Sequence, residues 1–173
     1  MTEGDERWER LFDELARRED PAWDEFEVAD LVRAERVGIA LVERLVGALG
    51  RQVTVRTVTG ATLTGRLSAL ADAWLVLEGP VADHLVIVAG VAAVGPLGAP
   101  RPGSRAIPIG VALRRIADHG APVMLDCHTE VRGRLRAVGA DHVEVQSENG
   151  QVLAVTTAAL VSIRCAPGTL GDG

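Results

Sequence analysis

Apolar positions recur near every 3.6 residues before Gly50 and every second residue after it. Trp8, Leu11, Phe12 and Leu15 stand at helical spacing among Glu and Arg, which predicts a short amphipathic helix over residues 5–18. Asp20-Pro21 joins an N-cap acid to a Pro at the first helical position and starts a second helix. Val28, Leu31, Val32, Leu41, Val42, Leu45, Val46 and Leu49 carry it toward Leu49. Gly38 bends or breaks that helix, Gly47 weakens its end and Gly50 suits its stop.

From Val53 the period is two. Val53 and Val55 alternate with Thr54 and Arg56, Gly60 marks a turn, and Leu63, Gly65 and Leu67 alternate with Thr and Arg. Leu75 and Leu77, a Gly79-Pro80 turn, Leu85–Val88, and Val91 with Val94 complete five short strands, the pattern of a small antiparallel barrel. Residues 95–106 are Pro/Gly/Ser-rich and read as a linker, and a short helix follows over Ile109–Asp118. Then the first pattern returns. Gly65–Glu78 aligns without a gap on Gly133–Gln146, so that Leu67, Leu70, Leu75 and Leu77 meet Leu135, Val138, Val143 and Val145. Upstream, Val53 and Val55 meet Val123 and Leu125; downstream, Val91 and Val94 meet Leu160 and Ile163. The expected organisation is an acidic helical segment over 1–38, a first helix plus barrel over 39–95, a linker over 96–106, a second helix plus barrel over 107–166 and a flexible tail over 167–173.

Composition changes this picture in one respect. The 173 residues carry 18 Lys+Arg, every one of them Arg, against 24 Asp+Glu, a net charge of -6. Residues 1–50 hold 14 acids and 7 Arg, whereas residues 51–173 hold 10 acids and 11 Arg. The acidity therefore belongs to the helical segment, and the strand-rich remainder is nearly neutral. A hydrophobic content of 47% supports a core and excludes wholesale disorder. Two Cys make no disulfide framework. The charged first twenty residues lack the apolar run of a signal peptide, and Leu85–Pro100 is too short for the roughly 20 residues of a membrane span. A cytoplasmic protein without membrane association is expected, and free thiols at Cys127 and Cys165 fit a reducing compartment.

The second strand carries Gly60-Ala-Thr-Leu63-Thr-Gly65-Arg-Leu67, and its counterpart is His128-Thr-Glu-Val131-Arg-Gly133-Arg-Leu135. In this pattern the chain resembles tandem Sm-like domains, over about 45 residues in each copy. It is also similar, from its Trp8–Phe12 start onward, to uncharacterised actinobacterial proteins, some labelled Fis-type transcriptional regulators. Residues 121–165 read as strands, with no C-terminal helix-turn-helix. The resemblance implies an α+β fold: N-terminal helices, then two tandem five-stranded antiparallel Sm-like (SH3-like) barrels, each preceded by a helix. It also implies an RNA site on two loops, with an Asn on one and Arg-Gly on the other. Here Trp74 and His142 take the Asn position, and Ala89-Gly90 and Thr157-Ala158 take the Arg-Gly position, so those RNA-binding residues are largely missing.

Candidate chemistry is sparse. Trp74, placed opposite Leu75 and Leu77 by alternation, is a stacking platform at a barrel mouth or a ring packed on a helix. Arg132, Arg134 and Arg136 share one strand face, with Arg114 and Arg115 on the preceding helix. They form a phosphate-contacting stripe, or a face that is solvated or paired with the acidic helices. Cys127 and Cys165 end the first and last strands of the second copy; the alternatives are a redox pair or half-site with His128, and two small apolar residues near a core. Trp8, Leu11, Phe12 and Leu15 outline a helical docking surface or ordinary intrachain packing. No Ser–His–acid or Cys–His–acid set, zinc spacing or phosphate-binding Gly loop is present, so no catalytic, cofactor or metal residues are nominated. The expected function is a noncatalytic interaction or scaffold protein that binds a protein partner or self-associates. The alternative is a nucleic-acid-associated regulator using the Arg stripe, Trp74 and His142.

Overall fold

The structure, a computed structural model, describes residues Ala40–Gly171. The expected helix over 5–18, the start of the second helix, and Trp8, Leu11, Phe12 and Leu15 lie outside the described residues. Where the second helix is expected to run on to Leu49, the described residues hold a six-residue helix, α1 (Leu41–Val46), which starts after an extended Ala40 and ends at Gly47. A Cβ at Gly47 would collide with the backbone of Ala99, so only Gly lets the chain after the first five strands pass this close. That chain is the expected linker, and it is tied down. Gly98 N–H donates to the Arg44 carbonyl, Arg101 N–H to the Glu43 carbonyl, and Arg44 Nε back to the Gly98 carbonyl.

The strands are β1 (Gln52–Thr57), β2 (Thr62–Leu70), β3 (Trp74–Glu78), β4 (Asp83–Ile87), β5 (Val91–Gly95), β6 (Val123–Asp126), β7 (Glu130–Val138), β8 (His142–Gln146), β9 (Val152–Thr156) and β10 (Ser162–Cys165). The 11-residue helix α2 (Ile109–His119) stands between β5 and β6 and ends on Gly120 at φ 67. The strands do not close into two barrels. They form one open antiparallel sheet in the order β5-β1-β2-β3-β4-β10-β6-β7-β8-β9. The expectation of N-terminal helices and two closed five-stranded barrels is corrected accordingly: the described chain is a ten-stranded sheet with two α-helices. The physical reason lies at the centre. β4 and β10 pair with each other, Leu85 opposite Ile163 and His84 opposite Arg164, and so join the two blocks through the main chain. Period-two alternation specifies which face of a strand is buried but not which strand its edge will meet.

The two five-strand blocks correspond in detail. Val53 lies opposite Gly65 on β1–β2, and Val123 opposite Gly133 on β6–β7. β2 shifts register between Leu67 and Ala69, and β7 between Leu135 and Ala137. A Cβ at Gly65 would lie 2.6 Å from the Glu78 carbonyl oxygen, and one at Gly133 would meet the Gln146 carbonyl. Each Gly is needed where a neighbouring strand crosses closely over a bend.

Two cores result. The first gathers Leu45 and Ala48 against Val53, Val55, Leu67, Leu75, Leu77 and Val86. The second gathers Ala112, Leu113 and Ile116 of α2 against Val123, Leu125, Leu135, Val143, Val145 and Ile163, together with Trp74, Val76 and Leu85 from the first block. β3 therefore sends alternate side chains into different cores, and its first four residues are all buried. The C-terminal segment, expected as a flexible tail, buries Thr169 and Leu170, and Leu170 N–H donates to buried Asp83 at 3.1 Å.

Candidate functional site

The seam between the blocks carries most of the polar chemistry. Arg164 lies opposite His84 on one side and Met124 on the other, and Met124 lies opposite Arg132. Paired residues share a sheet face, so His84, Arg164, Met124 and Arg132 form one row across four strands. The alternate residues Leu85, Ile163, Leu125 and Val131 turn into or against the second core. The next row holds Ser162, Asp126 and Glu130.

Two grooves flank this row. The first, of about 660 Å³, is lined by Thr59, Thr62, His84, Asp126, Glu130 and Arg164 among others. The second, of about 730 Å³, is lined by Arg132, Arg134 and Arg164 together with Val81, Pro122 and Met124. Arg164 and Met124 belong to both. In the first groove Thr59 Oγ1 donates to Asp126 Oδ2 across the seam. Arg132 Nε donates to Glu130 at 2.5 Å, and Arg134 Nη1 donates to the Gly120 carbonyl. Among the described residues the Arg164 side chain has no hydrogen bond or ion pair. His84 keeps a buried Nδ1 with no partner among the described residues. Burial, and next the Arg164 charge, push its pKa below the ordinary histidine value, against the opposing pull of Asp83.

The residues nominated from sequence disperse. Trp74 does point away from Leu75 and Leu77, but that face is covered: the ring is 7% exposed and Nε1 donates to the Ile107 carbonyl at 2.9 Å. Arg132 and Arg134 meet in the second groove, whereas Arg136 falls at the β7 bulge and donates to Gln146 Oε1 at 3.0 Å. His142 sits at the start of β8, outside both grooves, 2.8 Å from Asp141. That contact holds the Asp141 carboxyl below its ordinary value. Arg114 and Arg115 line neither groove, and Arg115 donates to the Gly171 carbonyl. Cys127 and Cys165 follow or end two antiparallel neighbours, β6 and β10, and so lie at opposite ends of the pair. The Cys165 thiol is pushed up to about 12, by burial first and by Asp83 second. His84 and Arg164 carried no particular signal in sequence. Arg164 is readable as the polar step of Ser162-Ile163-Arg164-Cys165, but its neighbours are not.

The sheet ends on β5 and β9, each paired on one side only among the described residues. Neither Val91-Ala-Ala-Val-Gly95 nor Val152-Leu-Ala-Val-Thr156 contains a charge or Pro. On β9 both Val152 and Leu153 are exposed, Val152 at 54%. Among the described residues no group of three His, Cys, Asp or Glu is placed to hold a metal ion, and no helix is long and apolar enough to cross a membrane. No protein-family model matches the chain, and no curated protein matches it.

Proposed function

We propose that this chain is a noncatalytic interaction protein that accepts an added strand at the edges of its sheet. The observation that carries the reading is β9, an edge strand with exposed Val152 and Leu153 and no protecting charge or Pro. Sheet edges that remain unpaired in solution are ordinarily blunted by charged side chains, Pro or bulges. A bare edge offers main-chain donors and acceptors to an extended segment, with side-chain contacts on both faces for selectivity. The added strand comes from a protein partner or from a second copy of the chain. The correspondence between the blocks fits a duplicated unit, and two free thiols fit a cytoplasmic setting. The alternative, a nucleic-acid-associated regulator, loses one support because Trp74 is buried; it keeps Arg132 and Arg134.

Light scattering across a concentration series, together with capture of partners under native conditions, tests the reading. The double variant Val152→Lys, Leu153→Lys is expected to abolish association while leaving thermal stability within a few degrees, since both side chains are exposed. A protein that stays monomeric and captures nothing overturns it, as does association that the double variant leaves intact.

A further inference from the structure

We infer that the second groove is a binding site for a phosphate monoester of about nucleotide size. The two blocks build it jointly: Val81 and Ala82 come from the first, and Arg132, Arg134 and Arg164 from the second. Arg132 and Arg164 flank Met124 in one cross-strand row, which sets their Cα atoms roughly two strand spacings, ~10 Å, apart. Arg134 is two residues along β7, ~7 Å from Arg132. All three Arg side chains line the same groove.

Their hydrogen bonding leaves capacity for a ligand. Arg134 is held in place by the Gly120 carbonyl, and Arg132 commits only its Nε, to Glu130. Among the described residues the Arg164 side chain commits no donor. A guanidinium presents five donors in a planar fork that matches phosphate oxygens. Among the described residues Glu148 is the one acid lining the groove, and Glu130 pairs with Arg132 from outside it, so the three Arg keep a formal surplus of one positive charge, which favours an anionic ligand. Val81, Pro122 and Met124 line the same groove and offer apolar surface to the organic part of the ligand, Val81 being 72% exposed. The volume, about 730 Å³, lies in the range of small-molecule clefts.

A nucleic-acid strand fits less well. Beyond Arg164 the surface continues into the first groove, where Asp126 and Glu130 face any incoming phosphodiester. The cationic stretch is one ligand long. The site is also separate from the β9 edge, so its test and the edge test fail independently.

Isothermal titration of the full chain with adenosine 5′-monophosphate, with adenosine and with inorganic phosphate is the decisive experiment. Saturable binding of the monophosphate is expected, with inorganic phosphate competing and adenosine alone not binding. Arg164→Gln and Arg132→Gln are each expected to weaken it by about tenfold or more, the effect of losing one charge-assisted hydrogen bond. Arg66→Gln, which removes the exposed pair with Glu78 outside the groove, is expected to change nothing. The melting temperature of each variant in the absence of ligand separates a lost site from a lost fold. No saturable binding at millimolar monophosphate overturns the inference. So does binding unaffected by Arg164→Gln in a folded variant, or binding of a DNA or RNA oligomer alone.

Discussion

Gly60 and His128 occupy the same place in the two blocks, and both have positive φ, 90 and 65 degrees. A left-handed conformation costs an L-residue roughly 1–2 kcal/mol relative to Gly, less for the few types that tolerate it. His128→Gly is therefore expected to raise stability by about 0.5–1 kcal/mol, measured by denaturant unfolding; a loss would show that the ring makes compensating contacts. The Gly turn of the first block was legible from its spacing, and the place of His128 was legible only through the alignment of the copies. His84 was not legible, because its environment comes from Arg164, 80 positions away in sequence. Its folded pKa is lowered, so below the ordinary value near 6.5 the unfolded chain takes up the proton more readily than the folded one. Stability is then expected to fall as pH drops from about 6.5 toward 5, and His84→Gln to flatten that slope. An unchanged slope would assign the pH response to other groups.

At the scale of elements, the strands and α2 were readable because their apolar periods are clean. The errors came from what covers each face. Trp74 follows the alternation on β3, yet its face is closed by the second core and by the Ile107 carbonyl, contributions that no local pattern announces. Trp74→Ala is expected to cost about 3–5 kcal/mol, a cavity plus a lost hydrogen bond, and Trp74→Phe distinctly less. A small loss in Trp74→Ala would mean that the ring packs loosely. The bulges at Ser68 and Arg136 were equally hidden: a single inserted residue leaves the apolar sequence intact while shifting the register against the neighbouring strand.

At the scale of the molecule, the repeat in sequence was legible and the single sheet was not. Apolar alternation describes strands, whereas β4–β10 pairing is made of main-chain hydrogen bonds that any residues supply. The consequence is testable. The second core contains Trp74, Val76 and Leu85 of the first block, and β3 contributes to both cores. Thermal unfolding of the region from residue 40 onward is expected to be a single cooperative transition, with calorimetric and van't Hoff enthalpies in agreement. Two separated transitions would mean that the blocks are energetically independent despite the shared sheet.

β3 has a further consequence for how the chain can vary. A strand with one wet face tolerates polar replacements at every second position, as the alternating burial of β1 allows. From Trp74 to Leu77 there is no such face. In a map of substitutional tolerance β1 would read as alternating stripes and the start of β3 as a solid bar. A family descended from this sequence could reshape its grooves and edges freely, while that short run would change only by exchanging one apolar side chain for another.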